Sequence, residues 1–137
     1  QDPESVYSAV IPIFIKQMLK GEAPTIYGEP GISRDFTYVE NNIDANLRAC
    51  TATKEAAGEV INIATGYEIS LEQLVEKINK ILGTNINPLY KKGRKGDVAH
   101  SLGNISKAKR LLGYTPLVSF DEGLKKTVEF YTKAIEL

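Results

Sequence analysis

The sequence predicts an α/β chain in which amphipathic helices alternate with short strands, and three features carry that prediction. Two capping boxes, Ser70-Leu71-Glu72-Gln73 and Ser119-Phe120-Asp121-Glu122, each open a run of apolar residues at helical spacing. Gly21, Gly83 and Gly113 stand where helical runs stop. Between the helices lie short pieces rich in β-branched and aromatic residues, among them Thr25-Ile26-Tyr27 and Val60-Ile61-Asn62-Ile63-Ala64. These strands are few and short for a complete doubly wound sheet.

Each element has its own warrant. Pro12 suits the first turn of a helix whose apolar positions are Ile11, Phe14, Ile15, Met18 and Leu19. Thr25-Ile26-Tyr27 reads as a strand, and residues 35–38 as a second extended piece leading into a helix with Val39, Ile43, Leu47 and Cys50 on its apolar face. Residues 60–64, bounded by Gly58 and Gly66, read as a buried strand. The helix that Ser70 starts turns Leu71, Leu74, Val75, Ile78 and Leu82 inward before Gly83. Residues 86–92 read as a strand, and residues 105–112 as a short helix. The last helix buries Phe120, Leu124, Val128, Tyr131 and Ile135.

Composition limits the function classes. With 137 residues, 42% hydrophobic and 25% charged, the chain has the material for one domain over residues 1–137. Its net charge of +0 gives no field that draws it to nucleic acid or a membrane. The basic run Lys91, Lys92, Arg94 and Lys95 has no aromatic interleaving, so no nucleic-acid partner is expected. The longest apolar run, residues 9–15, contains a proline and is too short to span a bilayer. No basic stretch precedes a cleavable apolar segment, so no membrane partner is expected and the cytoplasm is the expected location. Cys50 is the single cysteine; it is expected to be helical and buried as a packing residue. No ligand set for a metal is read from the sequence.

The chemistry sits in two loops. Gly28-Glu29-Pro30-Gly31-Ile32-Ser33-Arg34-Asp35-Phe36 puts an arginine just beyond two turn glycines, and Arg94-Lys95-Gly96-Asp97 places a second arginine in a loop. A guanidinium's planar fork matches the oxygens of a diphosphate, so the pair suits one such ligand. No glycine pattern suits a dinucleotide: Gly28 and Gly31 are followed by Arg34, and Gly93 and Gly96 by Ala99. No tyrosine has a lysine four residues on, so the Tyr-x-x-x-Lys pair is absent. No catalytic residue and no bound cofactor are therefore expected in this chain.

Six motifs in one order resemble the C-terminal third of the extended short-chain dehydrogenases, especially the NAD-dependent UDP-hexose 4-epimerases. They are Tyr7-Ser8-Ala9-Val10-Ile11-Pro12, Gly21-Glu22-Ala23-Pro24-Thr25-Ile26-Tyr27-Gly28, the Ser33-Arg34-Asp35-Phe36-Thr37-Tyr38-Val39-Glu40 run, Asn62-Ile63-Ala64-Thr65-Gly66, Arg94-Lys95-Gly96-Asp97-Val98, and Ile105-Ser106-Lys107-Ala108 with Leu111-Leu112-Gly113-Tyr114-Thr115-Pro116. The resemblance implies a small substrate-binding lobe without the Rossmann domain. It assigns Ala9, Val10, Phe14, Thr25, Ile26 and Tyr27 to the uracil ring, Arg34 and Arg94 to the diphosphate, and Asp97 to a ribose hydroxyl or to orienting the second arginine. It gives His100 a structural role. The implied partners are a UDP-sugar and the N-terminal NAD-binding domain that this chain lacks, with self-association of the lone lobe. NAD belongs to the complete isomerase; this chain alone is expected to be inactive. A UDP-glucuronate decarboxylase, a dTDP-glucose dehydratase and a stand-alone nucleotide-sugar module share the pattern. Three departures from it are Glu29-Pro30 between the glycines of the first loop, where proline fixes φ, Ile13 at a position often polar in the family, and Asn104 in place of an aspartate.

Overall fold

The computed structural model describes residues 9–93 and 96–135, and of Ile135 only the backbone. In chain order its elements are α1 (Val10–Leu19), β1 (Thr25–Tyr27), β2 (Ser33–Arg34), α2 (Val39–Cys50), a 3-10 turn (Lys54–Ala56), β3 (Ile69–Ser70), α3 (Leu71–Leu82), β4 (Leu89–Lys91), β5 (His100–Ser101), α4 (Ser106–Leu112) and α5 (Phe120–Ile135). The mixed α/β class expected from the sequence is the class observed. Two compact units are present. The first holds the described residues of Gln1–Ile32, Ser70–Ala99 and Leu124–Leu137; the second holds Ser33–Ile69 and His100–Gly123.

In the first unit α1 packs on α3. Phe14, Ile15 and Met18 of α1, Leu74, Val75 and Ile78 of α3, and Leu124 and Val128 of α5 are all buried, as their helical spacing predicts. Each such side chain contributes about 1.5 to 3 kcal/mol on leaving water. The start of α3 is fixed by its capping box: Gln73 N–H donates to Ser70 Oγ at 3.2 Å, and Ser70 N–H donates to Gln73 Oε1 at 2.9 Å. Gly83 ends the helix at φ 68°.

β1 and β4 run parallel, with Thr25 opposite Leu89, Ile26 opposite Tyr90 and Tyr27 opposite Lys91. The strand expected over residues 86–92 is shorter than its sequence suggests and all three of its residues are exposed. Its first half is held by α3 instead. Asn79 Nδ2 donates to Ile86 O, and Ile86 N–H donates to Asn79 Oδ1, each at 2.9 Å. Pro88 has no N–H to give a ladder.

The second unit has its core at Ala45, Ala64, Ile105, Ala108 and Tyr114, with Ile61, Ile63 and Leu112 half-buried against it. The phenol of Tyr114 donates to Ala64 O at 2.9 Å. Phe36 stacks on Phe120 with ring centroids 5.6 Å apart. β2 and β5 pair in parallel, Ser33 opposite His100 and Arg34 opposite Ser101. The pairing stands two residues ahead of the extended piece expected over residues 35–38.

Two expectations fail in this unit for one kind of reason. α2 carries the expected stripe, but Cys50, expected to be buried, is exposed, and Val39, Ile43 and Leu47 are 57%, 52% and 64% exposed. The inward side of α2 is Asn41 and Ala45. Asn41 is fully buried: its Nδ2 donates to Val118 O at 2.9 Å, while its Oδ1 accepts from Leu117 N–H at 2.8 Å and Val118 N–H at 2.9 Å. Three bonds of about 1 kcal/mol each hold the polar side in and leave the apolar stripe outside. Residues 60–64 form no strand, and Val60 is 85% exposed. Among the described residues no strand lies alongside to pair with them.

Candidate functional site

The parallel pair of the first unit opens into two loops at the carboxyl ends of its strands, the end where parallel sheets place ligands. One loop runs from Gly28 to Gly31, both at positive φ (125° and 95°). The other begins at Gly93. The loops start in contact: Gly28 N–H donates to Lys91 O at 2.8 Å, and a Cβ on Gly93 would lie 3.3 Å from Gly28 Cα. Residue 93 is therefore tightest as glycine.

The first turn of α3 ties both loops down. Leu71 N–H donates to Ile32 O at 2.9 Å. A single oxygen of Glu72, Oε1, accepts Gly31 N–H at 3.2 Å and the Tyr90 hydroxyl at 3.1 Å. Burial pushes the Glu72 carboxyl up, but hydrogen bonds from its own backbone, Ser70, Gly31 and Tyr90 outweigh it, so it stays below the usual carboxylate range. Tyr90 moves up, by burial first and then by its bond to Glu72.

The residues singled out in the sequence fall as follows. Ala9 is exposed at the start of α1, Val10 and Thr25 are half-buried, and Tyr27 is 38% exposed. Phe14 and Ile26 are 2% and 0% exposed, so they lie in the core behind these residues and offer a ligand no surface of their own. Asp97 is exposed. Arg94 lies outside the described residues.

Arg34 belongs to the second unit, half-buried at the end of β2, where its Nη1 donates to Ser33 O at 2.7 Å. The buried Ser33 hydroxyl and His100 Nδ1 are 2.8 Å apart, across the paired strands. Next to Arg34, Asp35 accepts from donors in two loop segments. Its Oδ1 takes Thr65 N–H at 2.9 Å and the Thr65 hydroxyl; its Oδ2 takes Gly66 N–H at 2.9 Å and Gly103 N–H at 3.2 Å. A Cβ on Gly103 would come within 2.3 Å of Ala64 Cβ, so only glycine brings this N–H to the carboxylate. Sequence reasoning did not single out Asp35, Glu72 or Tyr90. Asp35 stood inside the Arg-Asp-Phe run and Glu72 inside a capping box, where each had a simpler local reading.

Among the described residues no three His, Cys, Asp or Glu side chains are grouped to hold a metal ion, and no helix is long and apolar enough to cross a membrane.

Residues 1–127 match the family model described as GDP-mannose 4,6 dehydratase. The chain belongs to this family. Within the family, it is 37% identical over 130 residues to a putative UDP-glucose 4-epimerase of Methanocaldococcus jannaschii, covering 95% of this chain and 41% of that protein. The structure of the UDP-glucose 4-epimerase of Thermotoga maritima with UDP-glucose superimposes with a TM-score of 0.90 at 41% identity, over 98% of this chain and 42% of that one. A UDP-glucuronic acid 4-epimerase of Bacillus cereus, in complex with UDP-glucuronic acid and NAD, gives a TM-score of 0.87 at 31% identity, over 93% and 40%. The family member described here thus spans about two fifths of these relatives' length, as the resemblance to a substrate lobe implied.

Proposed function

We propose that this chain is the nucleotide-sugar-binding lobe of an NAD-dependent 4-epimerase acting on a UDP-hexose, UDP-glucose and UDP-galactose or their N-acetylated forms. The observation that carries this reading is the likeness of nearly the whole chain to part of an epimerase whose structure holds UDP-glucose. The lobe's task is to anchor the UDP while the sugar reacts elsewhere. An anchor remote from the reacting carbon needs charge and apolar surface, not a titrating group. Ala9, Val10, Thr25 and Tyr27 supply surface for the uracil ring, with Phe14 and Ile26 as the core that holds them. Arg94 and Asp97 serve the diphosphate and ribose; Arg34 is assigned to the diphosphate by the family motif.

NAD fits no residue set of this chain. A dinucleotide cradle is built on a glycine-rich turn between a strand and a helix, and here the Gly28/Gly31 and Gly93/Gly96 pairs are followed by Arg34 and Ala99 where a third glycine would stand. Hydride chemistry is assigned to the portion of the relatives that the chain does not span. The exposed stripe of α2 and the unpaired residues 60–63 are assigned to the face that meets that portion. In the lone chain this face drives self-association.

UDP titrated into the purified 137-residue chain tests the reading. Losing one charge-assisted partner costs on the order of 1.5 to 3 kcal/mol, so Arg34→Ala and Arg94→Ala should each weaken UDP and UDP-glucose equally. No UDP binding, or a loss confined to the sugar, overturns it.

A further inference from the structure

We propose that Glu72 is a positioning residue for the diphosphate-binding loops, fixing the Gly28–Gly31 turn and the end of β4 through one carboxylate oxygen. The proposal rests on the UDP reading above and adds to it a residue that touches no ligand.

Four contacts close a ring around the two loop origins. Lys91 O takes the Gly28 amide at 2.8 Å, Ile32 O takes the Leu71 amide at 2.9 Å, and Glu72 Oε1 takes the Gly31 amide at 3.2 Å and the Tyr90 hydroxyl at 3.1 Å. Of these, only the Glu72 bonds use side chains. Gly28 and Gly31 have no side chain with which to hold their own loop, and both sit at positive φ, a conformation that a glycine leaves at little steric cost. Position must come from outside. α3 is rigid, capped at both ends and buried along one face, and it presents Glu72 from its first turn. Tyr90 stands on β4, four residues ahead of Arg94, while Gly31 stands three ahead of Arg34. One oxygen thus ties the Gly28–Gly31 turn to the end of β4, both within the first unit. Ionised, it is an acceptor only, matched to two donors. The downward shift of its titration keeps it so throughout the neutral range.

The test measures UDP and uridine affinity of the full 137-residue chain by calorimetry, with Glu72→Ala, Glu72→Gln and Tyr90→Phe. Glu72→Ala and Tyr90→Phe should weaken UDP by about three- to tenfold, the lower part of the range for coupling within one hydrogen-bonded network. Uridine, which has no phosphate, should bind as before. Glu72→Gln keeps an acceptor oxygen at the same place and should recover most of the loss. Amide exchange at Gly28 and Gly31 should speed up in the Glu72→Ala chain, with the melting midpoint of the Tyr90→Phe chain unchanged. Unaltered UDP affinity in Glu72→Ala and Tyr90→Phe, while Arg94→Ala still loses UDP, overturns the inference alone. Equal loss of uridine and UDP overturns it too, because the effect is then a general loosening of the unit. Failure of the unsubstituted chain to bind UDP overturns the nucleotide reading and this inference with it.

Discussion

Asp35→Asn replaces one atom and should destabilise the second unit by about 2 to 3 kcal/mol. The carboxylate accepts four hydrogen bonds, two on each oxygen, from the amides of Thr65, Gly66 and Gly103 and the Thr65 hydroxyl. Every partner is a donor, so an amide cannot satisfy them in either orientation. With its oxygen toward Gly66 and Gly103, its NH2 faces the Thr65 amide; the Thr65 hydroxyl can turn and accept, but the backbone N–H is left without a partner. The opposite orientation strands two glycine amides. The cheaper arrangement costs one unsatisfied backbone donor, about 1 to 3 kcal/mol, together with the charge assistance of the bonds that survive. With a urea slope of about 1 to 3 kcal/mol per molar, the midpoint should fall by roughly 1 M or more. Far-ultraviolet circular dichroism across a urea series measures it, and Asp35→Ala, which frees all four donors, should fall at least as far. A midpoint that does not move in Asp35→Asn would refute the claim that these loop segments are held by charge-assisted bonds.

Alkaline pH should destabilise the chain through Tyr114. Burial raises its phenol above the ordinary value, with Asp35 and Asp44 adding to the shift. The folded form therefore keeps a proton that the unfolded form gives up at about pH 10. The stabilisation is fully present below that pH and is lost as pH rises through the folded value. Tyr114→Phe should remove this alkaline step from a stability-pH profile and lower stability at pH 7 by about 1 kcal/mol, the bond to Ala64 O; a profile identical to the parent's counts against it. Sedimentation over a concentration series should show the parent chain associating, and Ile43→Glu with Leu47→Glu should leave it monomeric. A parent chain that is monomeric at every concentration contradicts an interaction role for the α2 stripe.

The helices of the first unit were legible because their signals are local. Ser70 and Gln73 are three residues apart, Gly83 follows the last turn, and the buried positions of α3 repeat at the helical period. The same period gave the apolar stripe of α2 correctly, and the burial expected of Cys50 on it wrongly. Periodicity shows which residues share a face; it does not show what covers the face. Asn41 looked like an ordinary surface residue, because the backbone groups that draw it inward, at Leu117 and Val118, stand more than seventy residues away. Residues 60–64 failed similarly: a strand pattern needs a neighbour to become a strand. Arg34 and the glycine loops were singled out by turn chemistry and family motif together. Glu72 and Asp35 were not, since their importance lies in donors contributed by distant glycines.

Those two carboxylates solve the same physical problem. Glycine gives a loop neither a side-chain anchor nor a preferred backbone conformation. The ordering cost then falls on binding, at a kcal/mol or so per residue fixed, unless the protein has already met it during folding. Glu72 for Gly31, and Asp35 for Gly66 and Gly103, meet it with acceptors that take backbone N–H groups from these glycines. An ionised carboxylate has only acceptors to offer, which suits it to N–H groups that have no other partner. A ligand arriving at loops held in this way loses less affinity to ordering them. On the proposed reading this suits a lobe that holds a nucleotide still, and Glu72 is then a determinant of affinity that the nucleotide never meets.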